Sequence, residues 1–400
     1  MHKTSVKDKK NIQLKTPFKK KSGLTPQQAI ESALHFLHSS SVPDSVPCRE
    51  RHFQEIYEFV EGKLWDGEGG CMYVSGVPGT GKTTTLNEVQ RQLEKNSGLP
   101  KFKFFGINAV QLGDPKKFYS HFCSLLTGKD LNDKKAFQYL NDRFTNGKID
   151  KDFTILFVDE FDYLRTKNQD ILYMLFDWPK QKNSKLIIIS IANTMDLPEN
   201  SMLKLSSRIA FTRVAFHPYN FDELEKILLS RINNLVNDDI FHIDALRLIC
   251  RKVAGVSGDA RRVLDIARRA VENAIRVKRV QVQIKDVTDA FQEIMNSTKI
   301  VAVRNCSIQQ KNFLRALVQE THSNGGQECR FIDVYRIHID LCRLDGEYVP
   351  TTTELSRVAI TLHQSRIITI EKSHSHLYYK ILLEILPEDI QLALNIDSEN

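Results

Sequence analysis

The hydrophobic pattern predicts an α/β domain in the first half of the chain. Continuous apolar runs of strand length lie at 155–158 and 186–192, shorter apolar runs lie at 71–74 and 213–216, and a further strand is predicted at 102–107. Apolar residues at helical spacing predict helices between and before them, at 26–38, 50–64 and 115–146, the last interrupted at Gly128. Continuous apolar strands that alternate with helices are typical of a parallel sheet buried on both faces.

The pattern changes twice after this domain. Four helices are predicted in a small separate domain, at 221–235, 242–253, 259–278 and 284–298. Three more, at 307–321, 331–344 and 352–363, are followed by β-rich runs at 366–370 and 377–383. Three helices and a hairpin predict a winged-helix module. We therefore expect a disordered tail (1–22), a nucleotide-binding α/β domain (23–219), a helical domain (220–300) and a winged-helix domain (301–400).

The segment after the first predicted strand has the pattern G-x-x-x-x-G-K-[ST], and a helical stretch follows it. Strand, glycine loop and helix in this order predict a phosphate-binding loop. Its glycines let backbone N–H groups approach phosphate oxygens, and the helix N-terminus contributes partial positive charge. Lys82 is expected to reach the β- and γ-phosphates. The predicted contacts are Gly76, Val77, Pro78, Gly79, Thr80, Gly81, Lys82, Thr83 and Thr84.

Two acids end the third predicted strand. Thr83, Asp159 and Glu160 are the predicted metal-site residues, with Asp159 orienting Mg²⁺ together with the Thr83 hydroxyl. Glu160 is also expected to polarise the attacking water as general base. No N-K-x-D guanine signature is apparent in the sequence, so ATP is favoured over GTP.

The composition of the chain limits its possible binding partners and its cellular compartment. The net charge is +7, and residues 1–22 contain eight lysines against one aspartate, so this tail binds a polyanion, directs nuclear import or is merely solvated. No apolar run approaches the ~20 residues that span a bilayer. The seven cysteines form no C-x-x-C pair, which argues against a zinc site or disulfide framework and favours the cytosol or nucleus. His374 and His376 are expected at the surface of a hairpin rather than as metal ligands.

These motifs, in this order, resemble the AAA+ ATPases. The loop and the acid pair are followed by a strand ending at Asn193, by Ser207-Arg208, and by Gly258-Asp259-Ala260-Arg261-Arg262 in the helical domain. The resemblance implies that Asn193 senses the γ-phosphate, that Arg208 is an arginine finger for a neighbour's nucleotide, and that Arg261 reaches the phosphates from a helical lid. Ordinary salt bridges are the alternative for both arginines, and Arg262 competes with Arg261.

Longer segments resemble one branch of that superfamily, the largest subunits of the eukaryotic origin recognition complex. They are Val46–Glu50, Phe176–Pro179 and Ile191–Glu199. The replication-licensing loader of the same clade is a weaker match, and a AAA+ remodelling motor is a further alternative. The resemblance implies an adenine pocket lined by Val46, Pro47, Arg49 and Tyr219, although Tyr219 also fits plain core packing.

The resemblance further implies a nuclear, ATP-dependent subunit with slow hydrolysis that binds duplex DNA, joins related subunits and cooperates with the loader and the replicative helicase. Largest subunits usually carry a chromatin-reading domain, which the short basic tail here does not support. The third winged-helix segment carries the cation Arg357 against Glu354, and the wing offers Lys372. This footprint is weak, so the module contacts either DNA or protein. Lys116 and Lys117 are alternative contacts with the DNA backbone.

Overall fold

The computed structural model describes residues 26–38, 46–146, 152–164, 170–182, 184–193, 212–233, 240–324, 328–371 and 379–395. Several predicted features lie outside these ranges: the basic tail, residues 194–199, Arg208, Lys372, His374 and His376.

Five parallel strands form the predicted sheet. Their bounds are β1 Gly70–Gly76, β2 Phe102–Asn108, β3 Phe153–Asp159, β4 Leu186–Ala192 and β5 Thr212–Phe216. The strand order is β2-β3-β4-β1-β5, and every neighbouring pair is parallel. The carboxyl ends of β1, β3 and β4 therefore meet at one edge of the sheet, where Gly76, Asp159 and Asn193 emerge.

Helices cover both faces of this sheet. They are α2 Glu50–Asp66, α3 Lys82–Lys95, α4 Phe118–Thr127, α5 Asp133–Asn146 and α6 Asp170–Asp177. Helix α1 Pro26–Phe36 precedes them in sequence but packs elsewhere. Side chains alternate along β3: Ile155 packs with α2 and α3, whereas Leu156 packs with α4, α5 and α6. This two-sided burial explains why the strands read as continuous apolar runs.

A helical domain follows the sheet. Its helices are α7 Phe221–Asn233, α8 Ile243–Ala254, α9 Ala260–Arg276 and α10 Ile284–Met295. Ile30, Ala33 and Leu37, from α1 and the residue after it, belong to the core of this domain, although α1 precedes the sheet in sequence. This packing places α1 with the helical domain, although the predicted α/β domain (23–219) includes it. The four domain boundaries remain predictions.

The winged-helix module contains more elements than the pattern predicted. Its bounds are α11 Thr298–Arg304, α12 Ile308–Asn324, β6 Glu328–Arg330, α13 Phe331–Leu344, α14 Thr352–Gln364, β7 Ile368–Glu371, β8 Lys380–Leu383 and α15 Pro387–Asn395. The strands pair antiparallel in the order β6-β8-β7. The prediction of three helices and a hairpin thus omitted α11, α15 and β6. The helix predicted at 284–298 is present but ends earlier, because Asn296 is the C-cap of α10 and Ser297 is the N-cap of α11.

Two compositional expectations can be compared with the structure. All seven cysteines are unpaired. Within the described ranges, no helix has both the length and the hydropathy that a bilayer span requires.

Candidate nucleotide-binding site

The phosphate loop runs from the end of β1 to the start of α3, as predicted. Gly79 and Gly81 have φ values of +74° and +86°, a region that side chains rarely adopt. A Cβ atom on Gly79 would lie 1.8 Å from Asp259 Oδ1, and one on Gly81 would lie 2.4 Å from the Tyr219 hydroxyl. These glycines therefore allow both the backbone conformation and the close approach of the helical domain.

Lys82 is buried at the centre of the site, with 6% of its surface exposed. Its ammonium group donates hydrogen bonds to the Gly76 and Val77 carbonyl oxygens and, over 3.1 Å, to Asn193 Oδ1. Burial lowers the pKa of Lys82 to about 8, against the opposing attraction of Asp159. When a nucleotide binds, its phosphate oxygens would therefore replace these three oxygen atoms as the hydrogen-bond acceptors of the lysine.

This low pKa predicts a pH-dependent affinity for ATP. A lysine with a depressed pKa is charged below about 8 and becomes neutral above it, and the neutral amine no longer attracts phosphate. We expect the ATP affinity to be constant near pH 7 and to fall, by up to about tenfold per pH unit, above pH 8. Fluorescent-nucleotide titrations from pH 7 to 9.5 would measure this, with circular dichroism as the control for folding. An affinity that stays constant across this range would contradict the assignment.

Thr83 and Asp159, two of the residues predicted to hold Mg²⁺, are in contact. Thr83 Oγ1 donates a hydrogen bond of 3.0 Å to Asp159 Oδ2, so two hard oxygen atoms lie side by side at the edge of the sheet. Mg²⁺ prefers this chemistry and completes its octahedron with waters and substrate phosphates. The residues therefore fit Mg²⁺, which would neutralise phosphate charge when bound.

Glu160 is directed toward Asn193. Its Oε2 atom lies 3.4 Å from Asn193 Nδ2, and its φ of +55° is unusual for a residue other than glycine. Burial raises the pKa of Glu160, with further contributions from the carboxylates of Asp159 and Asp162. A raised pKa suits a carboxylate that accepts a proton from water. Lys82, Asn193 and Glu160 are thereby connected in one chain of contacts, while the expected role of Glu160 near the metal remains a prediction.

The helical domain closes over the phosphate loop. The Ala260 N–H donates to the Gly79 carbonyl oxygen over 3.3 Å, and Asp259 caps the start of α9 by accepting from the Arg261 N–H. The positive charge of Arg261 lowers the pKa of both Lys82 and Glu160. Arg261 is therefore close enough to influence the charges of the predicted site, and its role toward the phosphates remains a prediction.

Arg262 has a different partner. Its guanidinium forms an ion pair with Asp389 of α15 in the winged-helix module, and both side chains are largely buried. This ion pair distinguishes the two adjacent arginines: Arg262 is paired with the winged-helix module, whereas the predicted role of Arg261 toward the phosphates remains a prediction.

The residues predicted to line the adenine pocket do lie together. The Arg49 guanidinium lies 3.9 Å from the centre of the Tyr219 ring and donates hydrogen bonds to the carbonyl oxygens of Thr80 and His217. Val46 and Pro47 are half-buried beside it in sequence. Arg49 is only 3% exposed. Its hydrogen bonds to Thr80 and His217 connect the phosphate loop to the segment that enters the helical domain. The predicted roles of these residues toward the base remain predictions.

The predicted DNA-contacting cations are exposed where they are described. Lys116 and Lys117 form a 3-10 turn after β2, which Asp114 caps by accepting from the Lys116 N–H. Arg357 is exposed on α14. Glu354 is committed to the capping box of that helix, with Thr351.

Three family models match the chain and together cover its architecture. The model described as "ATPase family associated with various cellular activities (AAA)" matches residues 72–214. The model "Cdc6/ORC-like, ATPase lid domain" matches 219–274, and "CDC6, C terminal winged helix domain" matches 301–393. The predicted fold class, an AAA+ core with a helical lid and a C-terminal winged helix, is confirmed.

Curated relatives identify the branch. Origin recognition complex subunit 1 of Cricetulus griseus is 42% identical over 382 residues, which is 92% of this chain and 44% of the relative. The Homo sapiens protein is 41% identical over 378 residues, again 92% and 44%. The chain belongs to the origin recognition complex subunit 1 family. It spans less than half the length of these relatives.

Solved structures agree with this origin recognition complex assignment. A chain of the "Structure of Drosophila ORC bound to DNA" is 39% identical, with a TM-score of 0.64, covering 97% of this chain and 96% of that one. The Aeropyrum pernix ORC1 protein in complex with DNA has a TM-score of 0.57 at 24% identity, which supports the fold alone.

Proposed function

We propose that this chain is an ATP-dependent initiator subunit. It binds ATP with Mg²⁺, associates with related origin recognition subunits on duplex DNA in the nucleus, and cooperates with the licensing loader to load the replicative helicase. Family membership and the DNA-bound Drosophila relative support the DNA and subunit partners. The contacts of Lys82, Thr83, Asp159, Glu160 and Asn193 support the nucleotide site.

The observation that carries the proposal is that α9 contacts both the phosphate loop and the winged-helix module. At its start the Ala260 N–H donates a hydrogen bond to the Gly79 carbonyl oxygen, and Arg262 pairs with Asp389 in the winged-helix module. A helix that contacts both can convert the occupancy of one site into the position of the other. ATP is therefore used as an assembly signal, and hydrolysis resets it slowly.

Each residue of the nucleotide site has a separate role in the proposed hydrolysis of ATP. Lys82 and Arg261 stabilise charge that develops on the transferred phosphoryl group, Asn193 positions the attacking water, and Glu160 accepts its proton. Arg208 is proposed to act on the nucleotide of a neighbouring subunit. Lys116 and Lys117 are proposed to contact the phosphates of DNA, which would make binding salt-dependent.

Assembly on DNA tests this function. We expect stable association of the chain, its partner subunits and a fluorescent duplex with ATP, and little with ADP. Glu160→Gln should assemble with ATP and persist longer than the wild type, because it binds but does not reset. Size-exclusion chromatography combined with fluorescence anisotropy measures both. Equal assembly with ATP, with ADP and without nucleotide would contradict the proposal.

A further inference from the structure

A third carboxylate, Asp162, lies in the site although the sequence motifs gave it no role. It belongs to the 3-10 turn Phe161–Leu164 that follows Glu160. One of its oxygens accepts a hydrogen bond of 2.6 Å from the backbone N–H of Asn193. We propose that Asp162 is a positioning residue for ATP hydrolysis, which fixes the end of β4 so that the Asn193 amide bridges Lys82 and Glu160. This inference rests on the proposed function.

The position of Asn193 explains why its backbone has to be fixed. The residue directly follows β4 and therefore lies just beyond the residues that pair in the sheet. Its side chain lies 3.1 Å from Lys82 Nζ through Oδ1 and 3.4 Å from Glu160 Oε2 through Nδ2. A short bond to a charged acceptor is among the stronger hydrogen bonds available. Without it, a backbone shift of about 1 Å would separate the amide from one of its two partners.

The hydrogen bond and the charge of Asp162 can be separated by substitution. Asparagine at position 162 keeps a side-chain oxygen that accepts from the Asn193 N–H but removes the charge, whereas alanine removes both.

The test compares Asp162→Ala and Asp162→Asn in the complex assembled with the partner subunits, with ATP and Mg²⁺. Asp162→Ala should lower kcat by about 10- to 100-fold, with ATP affinity within about threefold of the wild type. Asp162→Asn should restore most of kcat.

Other results would overturn the proposal. A purely structural role predicts a lower melting temperature in both variants and an unchanged kcat per folded complex. Equal losses of kcat in both variants would show that the hydrogen bond is not what Asp162 supplies. Glu160→Gln in the same assay separates the two claims. If it is inactive while Asp162→Ala is fully active, only the positioning role fails, whereas if Glu160→Gln is active, the proposed function fails and the positioning role with it.

Discussion

Replacing Lys82 by alanine is expected to abolish ATP binding. The ammonium group contacts two carbonyl oxygens of the phosphate loop and Asn193, and no second lysine of the described chain is buried in this way. Its charge is the main local compensation for the β- and γ-phosphates. We expect the Kd for ATP to rise at least about 100-fold, equivalent to about 2.7 kcal/mol of binding free energy. Fluorescent-nucleotide titration measures the change.

The control for this variant is Lys134→Ala, because Lys134 is exposed on α5, away from the loop. It should bind ATP as the wild type does. ATP should raise the melting temperature of the wild type and of Lys134→Ala, since a ligand that binds only the folded state stabilises it, but not that of Lys82→Ala. Retained ATP affinity in a folded Lys82→Ala protein would mean that the phosphates bind elsewhere.

Exchanging Glu160 for glutamine should separate ATP binding from hydrolysis. The amide has nearly the shape of the carboxylate and can still contact Asn193, but it cannot accept the proton of the attacking water. We expect ATP affinity within about threefold of the wild type and hydrolysis in the assembled complex lowered by about 10²- to 10⁴-fold. Phosphate release under single-turnover conditions measures this directly.

Glu94→Gln provides the matched control, because this glutamate is exposed near the end of α3. Its turnover should equal that of the wild type. Near-normal hydrolysis by Glu160→Gln would exclude the general-base role. An assembled complex that functions normally despite a complete loss of hydrolysis would instead favour an adaptor that holds ATP structurally.

The strands, and the proximity of the candidate-site residues that follow them, were predictable from the chain's local pattern. A strand buried on both faces must be apolar along its whole length, so 155–158 and 186–192 are visible in the sequence without knowledge of the fold. Residues that follow neighbouring parallel strands meet at one edge, which is why Lys82, Asp159 and Asn193 could be assigned together. The local order of strand, loop and helix carried this information.

Elements that depend on distant partners were not predictable in this way. The strand β6 has three residues, of which only Cys329 is buried, and it exists because β8 pairs with it. Helix α1 precedes the sheet, yet its buried residues pack with the helical domain. Neither a very short strand nor a contact between distant elements produces a hydrophobic periodicity that can be recognised in the sequence.

The same limit applies within the site. Arg49 is similar to family residues that contact the base, but its guanidinium is occupied by two backbone carbonyls and the Tyr219 ring. Arg261 and Arg262 are indistinguishable by type and spacing, and only the folded chain separates them by bringing Asp389 to Arg262. Asp162 similarly becomes informative only when β4 brings Asn193 beside it.

We infer that this chain uses ATP as an assembly switch rather than as the fuel of a motor. This is tested by steady-state ATP hydrolysis by the wild-type chain, measured alone and with the other origin recognition subunits, each with and without duplex DNA. We expect almost no turnover by the chain alone, with or without DNA, and slow turnover once the neighbouring subunits are present. Fast, DNA-stimulated hydrolysis by the chain alone would contradict it.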